Sequence, residues 1–87
     1  MAEEVVNKVE EVIAKAETIR SLANEIYYAM KDVQRFIAEK RAIEEEPDWH
    51  LLDVLVTRTY RGAIEITRDM NDVINVMRRL TGVSRGG

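Results

Sequence analysis

Between Glu3 and Glu46 the chain has neither glycine nor proline, and apolar side chains return at alternating intervals of four and three: Val5, Val9, Val12, Ala16, Ile19, Ala23, Ile26, Met30, Val33 and Ile37. A spacing that averages 3.5 residues holds all ten on one side of an α-helix; a strand would require alternation by two. From Trp49 onward the same grammar resumes through Leu52, Val56, Thr59, Ala63, Ile66, Met70, Val73, Met77 and Leu80. The pattern predicts two long helices, the first over residues 3–46 and the second over residues 47–81, joined by a tight turn near 46–48.

The corner is written in "EEEPDWHLL". Pro47 fits a first helical turn, where its missing N–H would have found no partner, and Asp48 favours the positive end of the helix dipole. At the far end Arg78 and Arg79 suit the last turn, Gly82 offers a left-handed cap and Val83 its hydrophobic contact, leaving residues 84–87 as a flexible tail. A turn this short returns the second helix along the first, so the expected fold is all-α: an antiparallel hairpin in a single domain over residues 1–83. An alternative three-helix monomer would break the first helix at Thr18–Ser21, where both residues can cap, but the apolar spacing runs through that point without interruption.

The apolar surface is wider than a two-helix contact needs. Val6, Ile13 and Tyr27 flank the first stripe on one edge, and Leu22, Ala29, Phe36 and Ile43 on the other. A helix with so wide an apolar face touches two neighbours, so the hairpins are expected to pair as a homodimeric four-helix bundle. Length points the same way: 87 residues bury only about 60–65% of their unfolded surface, and without cysteine no disulfide or thiolate metal site can reinforce the core. Gly62, inside the second helix, marks either a close approach or a bend.

No apolar stretch approaches the roughly 20 residues of a membrane span, and the acidic N-terminal sequence lacks the basic start and apolar run of a secretory signal. A soluble, cytoplasmic protein is expected, and the richness in Glu, Arg and Lys would suit a thermophile.

Candidate chemistry is sparse. His50 lies among Glu46, Asp48 and Asp53, but di-iron bundles use a Glu-x-x-His pair, which this chain lacks; acids beside a helix N-terminus need no metal to account for them. The arginine and lysine spacing of helical chorismate mutases and the paired acidic motifs of all-helical nucleotide pyrophosphohydrolases are missing too, as are a phosphate loop, a nucleophile elbow and a histidine pair. The reading is therefore a non-enzyme, with no catalytic, cofactor-binding or metal-ligating residues.

Charge divides the chain. Residues 1–50 hold 7 Lys and Arg against 12 Asp and Glu, and residues 51–87 hold 6 against 4, every base there being arginine. Arg78, Arg79 and Arg85 are candidate phosphate contacts, although Glu65, Asp69 and Asp72 are interleaved with the arginines and the net charge of −3 weakens any general attraction to nucleic acid. Leu51, Val54 and Ile64, with Tyr28 on the first helix, fall off the stripes and are candidate contacts with another protein. The function expected is a protein–protein interaction or adaptor module acting as a homodimer. A structural subunit of a filament, virion or secretion assembly is one alternative, and a nucleic-acid-associated subunit using the C-terminal arginines is the second.

Overall fold

The computed structural model describes residues 3–82, and these form two antiparallel helices, α1 (Glu3–Arg41) and α2 (Pro47–Thr81). The Cα trace measures 62 × 18 × 16 Å, a narrow rod. α1 is continuous through Thr18–Ser21, so the three-helix alternative is not the one adopted. The Thr18 hydroxyl donates back to the Ala14 carbonyl at 3.1 Å, a bond made inside a helix rather than at its start.

α2 begins and ends as its sequence dictates. Glu46 is extended (φ −108°, ψ 120°), the conformation that a following proline imposes, and Pro47 opens the first turn. At the other end Gly82 takes φ 70° and its N–H donates to the Arg78 carbonyl at 2.9 Å. Val83 and residues 84–87, expected as the cap contact and the tail, lie outside the described residues.

α1 stops at Arg41, five residues before the end that its apolar spacing suggests. The N–H groups of Ile43 and Glu44 both donate to the Lys40 carbonyl, at 3.0 and 2.8 Å, and this shared acceptor closes the final turn. The physical reason is electrostatic: the C-terminal end of a helix repels carboxylates, and Glu44, Glu45 and Glu46 would have occupied it. Ending at Arg41 leaves Lys40 and Arg41 in the last turn instead, and the acids populate a connection over residues 42–46. Trp49 is half-buried against Phe36, with ring centroids 6.0 Å apart at 71°, and its indole N–H donates to Glu44 at 2.9 Å, which ties the connection to α2.

The helices meet along rows slightly rotated from the expected stripes. If Val9 and Val56 are each assigned position a of a heptad, the buried side chains are Val9, Ile13, Ala16, Ala23 and Ile37 on α1 with Val56, Ala63 and Ile74 on α2, which are a and e positions. Of the d positions counted in the sequence stripes, Val33 is half-buried and the other aliphatic ones stay exposed: Val5, Val12, Ile19 and Ile26 on α1, and Leu52, Ile66, Val73 and Leu80 on α2. Cross-helix contacts made from the e rows explain the rotation. Arg41 donates to Asp53 at 2.8 Å, Gln34 to Thr57 at 3.4 Å and Arg20 to Asn71 at 2.6 Å, while Tyr27 stacks on Tyr60 with centroids 4.8 Å apart. The largest hydrophobic cluster, Val9, Ile13, Ala16 and Ile74 with Met70 and Met77 packed against it, sits toward the open end. Gly62 meets nothing: a Cβ built there has no neighbour within 4 Å, so no backbone approach within the hairpin requires this glycine.

Candidate interaction surface

In an antiparallel pair the second helix is related to the first by a two-fold axis perpendicular to the plane of the hairpin, so equivalent heptad positions of both helices lie on the same side. Among the described residues fifteen large apolar side chains are exposed, and twelve of them occupy d and g positions: Val5, Val12, Ile19, Leu22, Ile26 and Phe36 on α1, and Leu52, Leu55, Ile66, Val73, Val76 and Leu80 on α2. One face of the rod is thus mainly apolar along its length. The opposite face, built from b, c and f positions, carries Glu10, Glu25, Lys31, Asp32 and Arg35 with Arg58, Arg61, Glu65 and Arg68. A soluble monomer leaves contiguous apolar patches of only a few hundred Å2; the outline of this face, its charged residues included, is about 1,100 Å2 from 62 Å by 18 Å.

At the closed end a groove of about 470 Å3 runs along the outer edge of α2, beside this face. Trp49, Leu51, Leu52 and Leu55 form its apolar lining and Glu44, Glu46 and Asp48 its rim. Glu44 is engaged by Lys40 at 3.8 Å and by the Trp49 indole, while Glu46 and Asp48 make no ion pair among the described residues. At the open end the charges on the same rows are Lys8 and Lys15, which share the single carboxylate of Glu11 at 3.9 and 2.9 Å. Asp69 on α2 is the one acid on the d and g rows of that half, and Lys40, lying over the Phe36 ring at 5.8 Å, is the one base of the closed half.

The four candidate contact residues do not form one patch. Leu51 lines the closed-end groove. Val54 and Ile64 are half-buried, and Ile64 borders a separate hollow of about 180 Å3 with Asn24, Tyr27 and Thr67. Tyr28 is exposed and meets Tyr27 edge-on at 5.0 Å. Of the candidate phosphate contacts, Arg78 is half-buried with its Nε lacking a hydrogen-bond partner, Arg79 is exposed, and both line a depression with Asp72, Asn75 and Val76; Arg85 lies outside the described residues. His50 is exposed beside Arg41, Glu44, Glu45, Glu46 and Pro47, and Asp53 is taken by Arg41 rather than by the histidine. Among the described residues no three His, Cys, Asp or Glu side chains are placed to hold a metal ion, and no helix is long and apolar enough to cross a membrane.

One cluster was not foreseen from the sequence. The Tyr60 hydroxyl donates to that of Tyr27 at 3.4 Å, and the Lys31 ammonium sits 5.4 Å and 5.9 Å from the two ring centroids. The hydrogen bond from Tyr60, with help from Lys31, holds the Tyr27 hydroxyl below its ordinary pKa of 10.0; the same bond, with desolvation, raises that of Tyr60. Both tyrosines occupy e positions, where the recurrence of aromatic rings at equivalent places in the two helices was the available signal.

Comparison of the chain with protein-family models, curated proteins and solved structures finds no match.

Proposed function

We propose that the chain is a non-catalytic protein-interaction module that works as a homodimer, two hairpins closing their apolar faces into a four-helix bundle. The observation that carries this reading is the open d and g face, where twelve large apolar side chains lie exposed on one side of a rod. Among the described residues only eight apolar side chains are buried between the helices, and three of those are alanines, so the hairpin alone has a thin core. The chain exposes 6489 Å2, against about 5,200 Å2 for a compact monomer of its 10.0 kDa mass. A face of this size exceeds the roughly 800 Å2 per partner of a standard stable interface.

A second reading, a subunit that goes on to build a larger assembly, draws support from Ile43, which is 77% exposed at the closed end beyond the d and g rows. The nucleic-acid reading is weaker, since Asp72 lies beside Arg78 and Arg79 in the same depression.

The test replaces one apolar residue per helix on the open face. Ile19→Lys with Ile66→Lys places a charge in the middle of the face and alters nothing between α1 and α2. The expected outcome is loss of the dimer by light scattering together with a lower thermal midpoint. A variant that keeps the mass and stability of the parent would show that the face is not the interface.

A further inference from the structure

Tyr27 and Tyr60 occupy matching e positions near the middle of the hairpin, and their rings stack with centroids 4.8 Å apart at 27°. The Tyr60 hydroxyl donates to that of Tyr27 at 3.4 Å, so the two phenol ends meet, the ring carbons beside the oxygens included. The Lys31 ammonium, 5.4 and 5.9 Å from the two centroids, holds the rings together by its attraction to both. From this geometry we infer that the pair is a site of oxidative modification, where a one-electron oxidant joins the two rings into an intrachain dityrosine that staples α1 to α2.

The chemistry is oxidative phenol coupling. An oxidant of the ruthenium(III) polypyridyl or haem-peroxidase class takes one electron from each ring, and each hydroxyl releases its proton to water. The two phenoxyl radicals then pair their odd electrons in one carbon–carbon bond between positions ortho to the oxygens. Each ring recovers its aromaticity by moving the ortho hydrogen to oxygen, so the chain loses two hydrogens in all and the oxidant gains two electrons. Such coupling requires that the radicals meet before they decay, and here the fold holds the two rings against each other beforehand. It also requires access. Both rings are half-buried rather than enclosed, and Tyr27 borders the hollow of about 180 Å3 with Asn24, Ile64 and Thr67. The e rows border the face of b, c and f positions, so a second copy seated on the d and g face leaves the pair reachable, and the inference does not depend on the homodimer. The lowered pKa of Tyr27 makes it the first to give an electron, because a phenolate is oxidised more readily than a phenol. Tyr28 lacks this arrangement: it is exposed and meets Tyr27 edge-on at 86°. A tie between residues 27 and 60 restricts the unfolded chain, a reinforcement that a chain without cysteine cannot draw from a disulfide.

The test oxidises the folded chain with a photogenerated ruthenium(III) polypyridyl complex at low protein concentration and reads the products by mass spectrometry and dityrosine fluorescence. The expected product has the mass of one chain less two hydrogens, and its tryptic digest joins the peptide of residues 21–31 to that of residues 59–61. Its thermal midpoint is expected to lie above that of the untreated chain. Tyr28→Phe is expected to keep the product, whereas Tyr27→Phe and Tyr60→Phe, each of which leaves a ring in the stack, are expected to lose it. Unfolding in urea before oxidation is expected to lower the yield about tenfold, because the rings are no longer held together. An intrachain product that survives Tyr60→Phe, or one that forms equally well in urea, would overturn the assignment. So would a folded chain whose tyrosines are consumed without the loss of two hydrogens, or one that yields only linked pairs of chains, because the stacked rings would then not be the partners that couple.

Discussion

Ile13 and Ile74 show how single positions settle the packing. Each is 2% exposed, and they anchor the cluster with Val9 and Ala16 toward the open end. Neither belongs to the stripe that apolar spacing picks out, because both lie on e rows whose other members, Val6 apart, are polar or aromatic: Arg20, Tyr27 and Gln34 on α1, Asp53, Tyr60 and Thr67 on α2. A reading that counts apolar recurrence treats such a row only as a flanking edge. The structure keeps it, because long polar side chains bridge the helices there while the isoleucines fill the gaps. Ile74→Ala is expected to cost about 2–5 kcal/mol by removing methylenes without a neighbour able to refill the space, seen as a lower urea midpoint. The tyrosine pair gives a spectroscopic expectation: the two hydroxyls titrate in separate steps, one below and one above the ordinary value of 10.0, in absorbance near the phenolate band. The signs for stability oppose each other. The lowered Tyr27 pKa adds stability as pH rises through its folded value toward 10.0, and the raised Tyr60 pKa withdraws it as pH rises through its own folded value. Tyr60→Phe removes the upper step and should return Tyr27 toward its ordinary value; a Tyr27 step that stays at its lowered position in that variant would contradict the assignment.

The helices themselves are the most legible level. Proline at the first turn, glycine after the last and arginines before it mark α2 at both ends, since each acts through its own backbone or the helix dipole. The C-terminal end of α1 is harder to read because Ala42 and Ile43 continue the apolar pattern, and only the three following glutamates oppose it. Gly82→Ala forces a Cβ into the left-handed region and is expected to lower stability by about 1 kcal/mol, measured by denaturant titration. Gly62→Ala should do the reverse within a lone hairpin, by about 1 kcal/mol, since a Cβ there meets nothing. Because position 62 also lies on a g row of the open face, that gain should appear at low protein concentration, where hairpins are apart. A loss at low concentration would mean that the glycine serves a backbone conformation of α2 itself.

At the scale of the whole molecule, two helices can each satisfy one neighbour and no more. The sequence carries enough apolar side chains for two contacts per helix; the hairpin uses the a and e rows for the first and leaves d and g for the second. That the surface was too wide for one contact could be read from spacing, but which rows face inward could not, because the choice depends on the bridges Arg20–Asn71, Gln34–Thr57 and Arg41–Asp53 between distant parts of the chain. The closed-end groove was legible only in part: Leu51 stood out as an apolar residue off the stripe, while its union with Leu52, Leu55 and Trp49 under an acidic rim required the fold. If association supplies the stability that eight buried side chains do not, the thermal midpoint of the chain should rise with protein concentration, as it does for any fold completed by a second copy. The central claim, that the open face is closed by a second copy, is tested most directly by the solution mass of the unmodified chain, followed by light scattering over a wide concentration range. The account predicts 20 kDa, twice the 10.0 kDa of one chain, falling toward one chain only on strong dilution. A mass of 10.0 kDa at every concentration, with the helices intact, would contradict it.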